Sequence, residues 1–189
     1  DGSFATGEGL TSATFAATSA ITNAGSVANT ITGVTPKDGT QENDYAFTYK
    51  AGTLTITNAT FSVTLTGGSW TYNGGAHSAT LTGTQSSDTI EYRTSTNGGT
   101  TWSTWSSTKP SVTHVSDGPM QVQVKVSRAN YNDATASATL TITKQAIELT
   151  ADSGSWTYDA SEHTKPSYTI TDGSFATGEG LTSATFAAT

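Results

Sequence analysis

Apolar and polar residues alternate along most of the chain. FSVTLTG (61–67), HSATLTG (77–83), TIEYRTS (89–95), MQVQVKVSR (120–128) and ATASATLTITK (134–144) put alternate side chains on one face, the period of a strand with one side buried. Between them lie YNGGA, TNGG, VSDGP and NYNDA, clusters of residues that turn a chain. No stretch carries an apolar stripe at helical spacing; SATFAATSA (12–20) comes nearest and is too rich in Thr. Short strands with a turn about every ten residues predict an all-β, antiparallel sandwich of immunoglobulin-like type. Its inward set is Val63, Leu65, Leu81, Ile90, Tyr92, Val122, Val124, Val126, Leu140 and Ile142. A β-grasp-like module is the alternative, because matching loops differ in length: Gly25 to Tyr45 spans 20 positions and Gly118 to Tyr131 spans 13.

The pattern also repeats. Residues 172–189 duplicate residues 1–18, DGSFATGEGLTSATFAAT, at an offset of 171. A shorter register of 86 lies inside it. GSWTY occurs at 68–72 and 154–158, TLTIT at 53–57 and 139–143, His77 matches His163, and Tyr45 matches Tyr131. Trp70, Tyr72, Trp156, Tyr158, Tyr45 and Tyr131 are therefore landmarks of repeat packing, and self-similarity at a fixed period is the signature of an array. The chain reads as a window on alternating A and B modules of about 85 residues each. Residues 1–59 are the C-terminal part of an A module, 60–144 a complete B module, and 145–189 the N-terminal part of the next A module.

Composition narrows the classes. Ser and Thr together number 64 of 189 residues, 41 of them Thr, and β-branched side chains suit a half-wet pleated surface. A net charge of −7 argues against nucleic acid and anionic membranes as partners. With no cysteine, neither a disulfide framework nor a thiolate metal site is available. No apolar run is long enough to span a membrane, and no signal segment opens the chain, so an export signal is expected outside it.

SWTYDASEHT (155–164), the Gly-rich DGSFATGEGLTSATF and NDYAFTYKAGTLTIT (43–57) resemble the repeated modules of bacterial giant adhesins, the MBG or YDG-type domains. EYRTSTNGGTTWSTW (91–105) and NYNDATASATLTITK (130–144) make the B module similar to the bacterial immunoglobulin-like repeats that accompany them. The resemblance spans the whole chain. It implies an extracellular stalk on the bacterial cell surface and brings no catalytic set with it.

Direct inspection for chemistry agrees with a non-enzymatic reading. Of the three histidines, His77 and His163 are one position in successive modules, a structural signature; no Ser/His/Asp order, HExxH or P-loop is present. No cofactor is implied. STNGGTTW (95–102) fits the Asp-box pattern, in which polar residues brace a hairpin turn over a Trp, with Asn97-Gly98 supplying positive φ angles. Trp102 and Trp105 fall on one face of a strand, either as packing or as a platform for a host or environmental glycan. KDGTQEND (37–44) is a solvated hairpin tip that lacks calcium-loop spacing, though its carboxylates suit Ca²⁺ at a module junction. The first strands carry no Lys for a Lys–Asn crosslink, and the NAT sequon at 58–60 stays unmodified in a bacterial product.

The expected function is a structural stalk or filament of end-to-end β-modules, with glycan binding through Trp102 and Trp105 as the alternative. The expected partners are neighbouring copies of the same repeat, met either as half-module complementation between chains or as one continuous array. The duplicated eighteen residues favour the continuous array, because two copies of one strand compete for one slot.

Overall fold

The computed structural model describes residues 3–186 and is all-β among them, with only two short 3₁₀ turns and no α-helix. SATFAATSA is not helical; its first half is strand. Two compact units form: the chain up to Phe61 together with Ser127–Asp133, and Ser62–Val126 together with Ala134 onward.

In the first unit, β1 (Leu10–Phe15) pairs antiparallel with β3 (Ile31–Pro36), and β2 (Gly25–Asn29) pairs with β4 (Gly52–Ile56), setting Val27 opposite Leu54. Phe4, Tyr45, Phe47 and Tyr49 line up as an aromatic row, with successive ring centroids 4.9, 6.2 and 6.5 Å apart. The segment Ser127–Asp133 seats on residues 23–24 and 58–61. Asn130 Oδ1 accepts from Ala24 N–H (2.8 Å), Ala59 N–H donates to Asn130 O (2.9 Å), and Asn132 N–H donates to Ala59 O (2.9 Å). Phe61 meets Tyr131 edge-on at 5.6 Å beneath the Arg128 guanidinium.

The second unit holds the core. Its main sheet runs in the order β6 (Gly68–Thr71), β10 (Ala134–Thr143), β9 (Met120–Ser127), β8 (Thr89–Ser95). β5 (Thr64–Thr66) pairs with β7 (Thr80–Thr82), and β11 (Glu148–Ala151) with β12 (Tyr168–Asp172). Val122, Val124 and Val126 alternate on β9, each at most 1% exposed, against Leu140 and Ile142 of β10 and Tyr92 of β8. Leu65 completes the part of the inward set that is buried. Val63, Leu81 and Ile90 are only half-buried; Ala79 and Ala134, in phase with Leu81 and Leu140 but absent from the expected inward set, are buried, and Val112 takes a core place outside every alternating run. Val112 is fully buried because His77 and Val112 exchange backbone hydrogen bonds of 2.9 Å, pinning a loop residue over the sheet.

Among the named strands the expected antiparallel order is broken by β6, which runs parallel to β10. Its chain has just left β5, so one extended segment serves two sheets in turn, a corner that sandwich-like packings use. Gly67 permits the crossing, since a Cβ there would lie 2.2 Å from Thr139 O.

All ten buried hydrophobic residues among those described lie between Leu65 and Ile142. Leu10, Phe15, Ile56, Leu149, Trp156, Tyr158, Ile170, Leu181 and Phe186, outside that stretch, are exposed.

Candidate functional site

The register of 86 corresponds to a local structure that the chain builds twice. Trp70 folds back over Gly68, where a Cβ would come within 2.7 Å of the indole, and His77 stacks on the ring at 4.8 Å and 16°. Asn73 Oδ1 ties the loop, accepting from Gly75 N–H (2.9 Å) and lying 3.2 Å from His77 Nε2. Each part returns downstream. A Cβ on Gly154 would lie 2.2 Å from the Trp156 indole, His163 stacks on Trp156 at 5.0 Å and 9°, and Asp159 Oδ1 accepts from Ser161 N–H (3.0 Å) and sits 2.8 Å from His163 Nε2. The flanking strand pairs also match. β7 is followed by Gly83 (φ +89°), where a Cβ would lie 2.8 Å from Ser62 O, and β12 by Gly173 (φ +77°), where a Cβ would lie 2.2 Å from Ala146 O, two glycines in like places although 90 positions apart.

The surroundings of the two closures differ. Tyr72 lies on His114 (5.8 Å) and donates its hydroxyl hydrogen bond to Glu179, which raises the phenol pKa above its ordinary value. Tyr158, its counterpart, is 91% exposed.

The Asp-box segment forms a braced turn. Ser95, 3% exposed, donates through Oγ to Asn97 Oδ1 (2.8 Å) and accepts from Gly99 N–H (3.0 Å); Asn97 Oδ1 also accepts from Thr101 N–H (3.0 Å), and Asn97 Nδ2 donates to Thr101 Oγ1 (2.7 Å). The positive φ angles fall at Gly98 (+70°) and Gly99 (+85°) rather than at Asn97, whose side chain does the bracing. Asn97→Ala is therefore expected to lower stability by about 1–3 kcal/mol, because it strands the buried Ser95 hydroxyl, and a urea midpoint checks it.

Residues 102–105 form no strand, so Trp102 and Trp105 are not placed by strand alternation, which sets positions three apart on opposite faces; a cation lies between the two rings all the same. The Arg93 guanidinium carbon is 4.8 Å from the Trp102 ring and 4.7 Å from Trp105, while Lys125 Nζ is 4.9 Å from Trp105. Arg93 Nε donates to Gln123 Oε1 (2.7 Å), and Lys125 pairs with Glu91 (2.7 Å). Both rings thus cover the polar face of β8 and β9, and Trp102 also borders a groove of about 190 Å³ with Gln121, Ser137 and Thr139. Sequence reasoning missed Arg93; its signal was the outward alternation Glu91, Arg93 against Gln123, Lys125.

The acidic segment 37–44 is an exposed turn closed by the 3₁₀ turn Glu42–Asp44. Among the described residues, no three His, Asp or Glu side chains gather where a metal could be held. Tyr45, at its end, takes a specific seat: its ring is 4.9 Å from Phe4, Ala5 N–H donates to its hydroxyl (2.9 Å), and that hydroxyl donates to Glu8.

No family model, curated protein or solved structure matches the chain. The reading of the site therefore stands on its geometry.

Two carboxylates tie turns in this geometry. Asp117 is held below the ordinary range by His114 N–H (2.7 Å) and Thr113 N–H (2.8 Å), and Asp152 by the Ser167 and Thr169 hydroxyls. A depressed folded-state pKa stabilises above the unfolded value and ceases to as the carboxylate protonates. The thermal midpoint is thus expected to fall on acidification below about pH 4, and Asp117→Asn is expected to weaken that dependence, measured by melting from pH 7 to pH 2.5.

Proposed function

We propose that this chain is a spacer segment of an extracellular bacterial surface protein, a run of tandem immunoglobulin-like β-modules whose function is reach. One observation carries the reading: several positions equivalent under the 86-residue register are more buried in 60–144 than outside it, Tyr131 against the half-buried Tyr45 being the exception. Ile142 is 2% exposed and Ile56 is 37%; Trp70 is half-buried and Trp156 is 49% exposed; Tyr72 is packed and Tyr158 is not. Equivalent side chains with unequal burial are what a window cut through a periodic array contains, because each module closes its own core and an interrupted one does not. The residue types support the same reading. Repeated Trp–His closures and braced turns are structural chemistry, and Arg93 between Trp102 and Trp105 makes that pair part of the sheet's cover.

Limited proteolysis tests the proposal. Cleavage within 1–59 and 145–189 is expected to precede any loss of 60–144, which persists as a resistant fragment. Uniform resistance along the chain, or early cuts inside 60–144, would count against it.

A further inference from the structure

We propose that the cavity beside Tyr72 and Phe175 is the seat for the Lys37–Tyr45 turn of a following copy of the repeat, with the Tyr45 side chain as its anchor. The inference rests on the tandem-repeat reading and names the joint that such an array would use. The cavity measures about 280 Å³ and is bordered by Tyr72, Lys144, Gln145, Ile147, Phe175 and Glu179, with Ala176 beside them.

Two independent registers give the same occupant. Under the offset of 171, Phe175, Ala176 and Glu179 are Phe4, Ala5 and Glu8, the three residues that hold Tyr45 through a ring contact, an amide and a carboxylate. Under the offset of 86, Gln145 and Ile147 are Ala59 and Phe61, on which the segment 127–133 seats by two backbone hydrogen bonds and the Phe61–Tyr131 contact. Shifted by the same 86, that segment is 41–47 and Tyr131 is Tyr45.

Both surfaces border one cavity, so the missing group is a tyrosine at the end of a turn. Transferring the observed pairings gives the bonds expected there. Gln145 N–H donates to the carbonyl of the incoming Asp44, Ala46 N–H donates to Gln145 O, Ile147 packs on the Tyr45 ring, and Ala176 N–H donates to the Tyr45 hydroxyl. Ala176 N–H meets no acceptor among the described residues. Glu179, already accepting from Tyr72, has a carboxylate with lone pairs for the second hydroxyl. Charge agrees as well: the turn carries Asp38, Glu42 and Asp44 against Lys37, and Lys144 stands at the cavity. Because residues 172–189 already are the next copy's first eighteen, a tandem array delivers the turn without exchanging strands.

The test extends the full chain after Thr189 with a second copy of Ser19–Phe61 and follows amide exchange by NMR. The Gln145 and Ala176 amides are expected to exchange about tenfold or more slowly than in the unextended chain. Changing the appended copy of Tyr45 to Phe is expected to release Ala176 while the appended strands stay protected, and Phe175→Ala is expected to accelerate both amides. If the appended strands are protected but both amides keep their original rates, the docking site is wrong and the tandem reading stands. Unprotected appended strands would overturn both.

Discussion

Leu140→Ala is expected to lower stability by about 3–4 kcal/mol, whereas Leu54→Ala, the same position 86 residues earlier, is expected to cost under about 1 kcal/mol. Leu140 is fully buried on β10 opposite Met120 and beside the Val122, Val124 and Val126 row. Removing three carbons there forfeits the transfer free energy and leaves a cavity that strands paired on both sides cannot collapse. Leu54 sits on a two-stranded ladder opposite Val27, only half-buried, with no second layer of buried side chains among the described residues around it. The truncation then loses exposed area and little packing. Urea midpoints of the two variants, with the slope checked for two-state behaviour, give the comparison directly. Equal costs would mean that the two stretches are equally closed.

The second large effect is at the indoles. Trp70→Ala is expected to destabilise by about 2–4 kcal/mol, since the ring fills the space over Gly68, stacks on His77 and flanks the parallel β6–β10 pairing. Trp156→Ala is expected to cost under about 1 kcal/mol. The local stack is the same there, but half the ring faces water. The expected asymmetry separates local from module-level stabilisation: the two copies share the Trp–His stack, with Asp159 standing where the first has Asn73, and differ most in what lies beyond them. Melting curves of both variants measure it, and a thermal shift confined to Trp70→Ala is the expected result.

Much of the fold was legible because the residues that specify it obey short-range rules. β8, β9 and β10 coincide with TIEYRTS, MQVQVKVSR and the run ending in TLTIT, where strict alternation meets turn residues at both ends. The Ser95–Trp102 turn was legible too, since its hydrogen bonds run between residues two to four apart. What escaped depends on distant partners. Val112 is buried by a bridge to His77, 35 positions away, and no local periodicity encodes that pairing. The parallel β6 was hidden because a glycine's close approach to Thr139 O leaves no trace in an apolar pattern. Arg93 between two indoles joins residues from opposite arms of a turn, as does the Lys125–Glu91 pair between strands. The repeat register marked Trp70 and His77 as two residues that keep one separation in two places, but the stacking of their rings was not legible in it.

Whether modules add end to end is read out by small-angle scattering of chains carrying one, two and three copies of the 171-residue period. Modules strung along an axis predict that the maximum dimension nearly doubles from one copy to two and rises by an equal increment at the third. A radius of gyration growing only about 1.3-fold on doubling, the scaling of a single compact body, would contradict it.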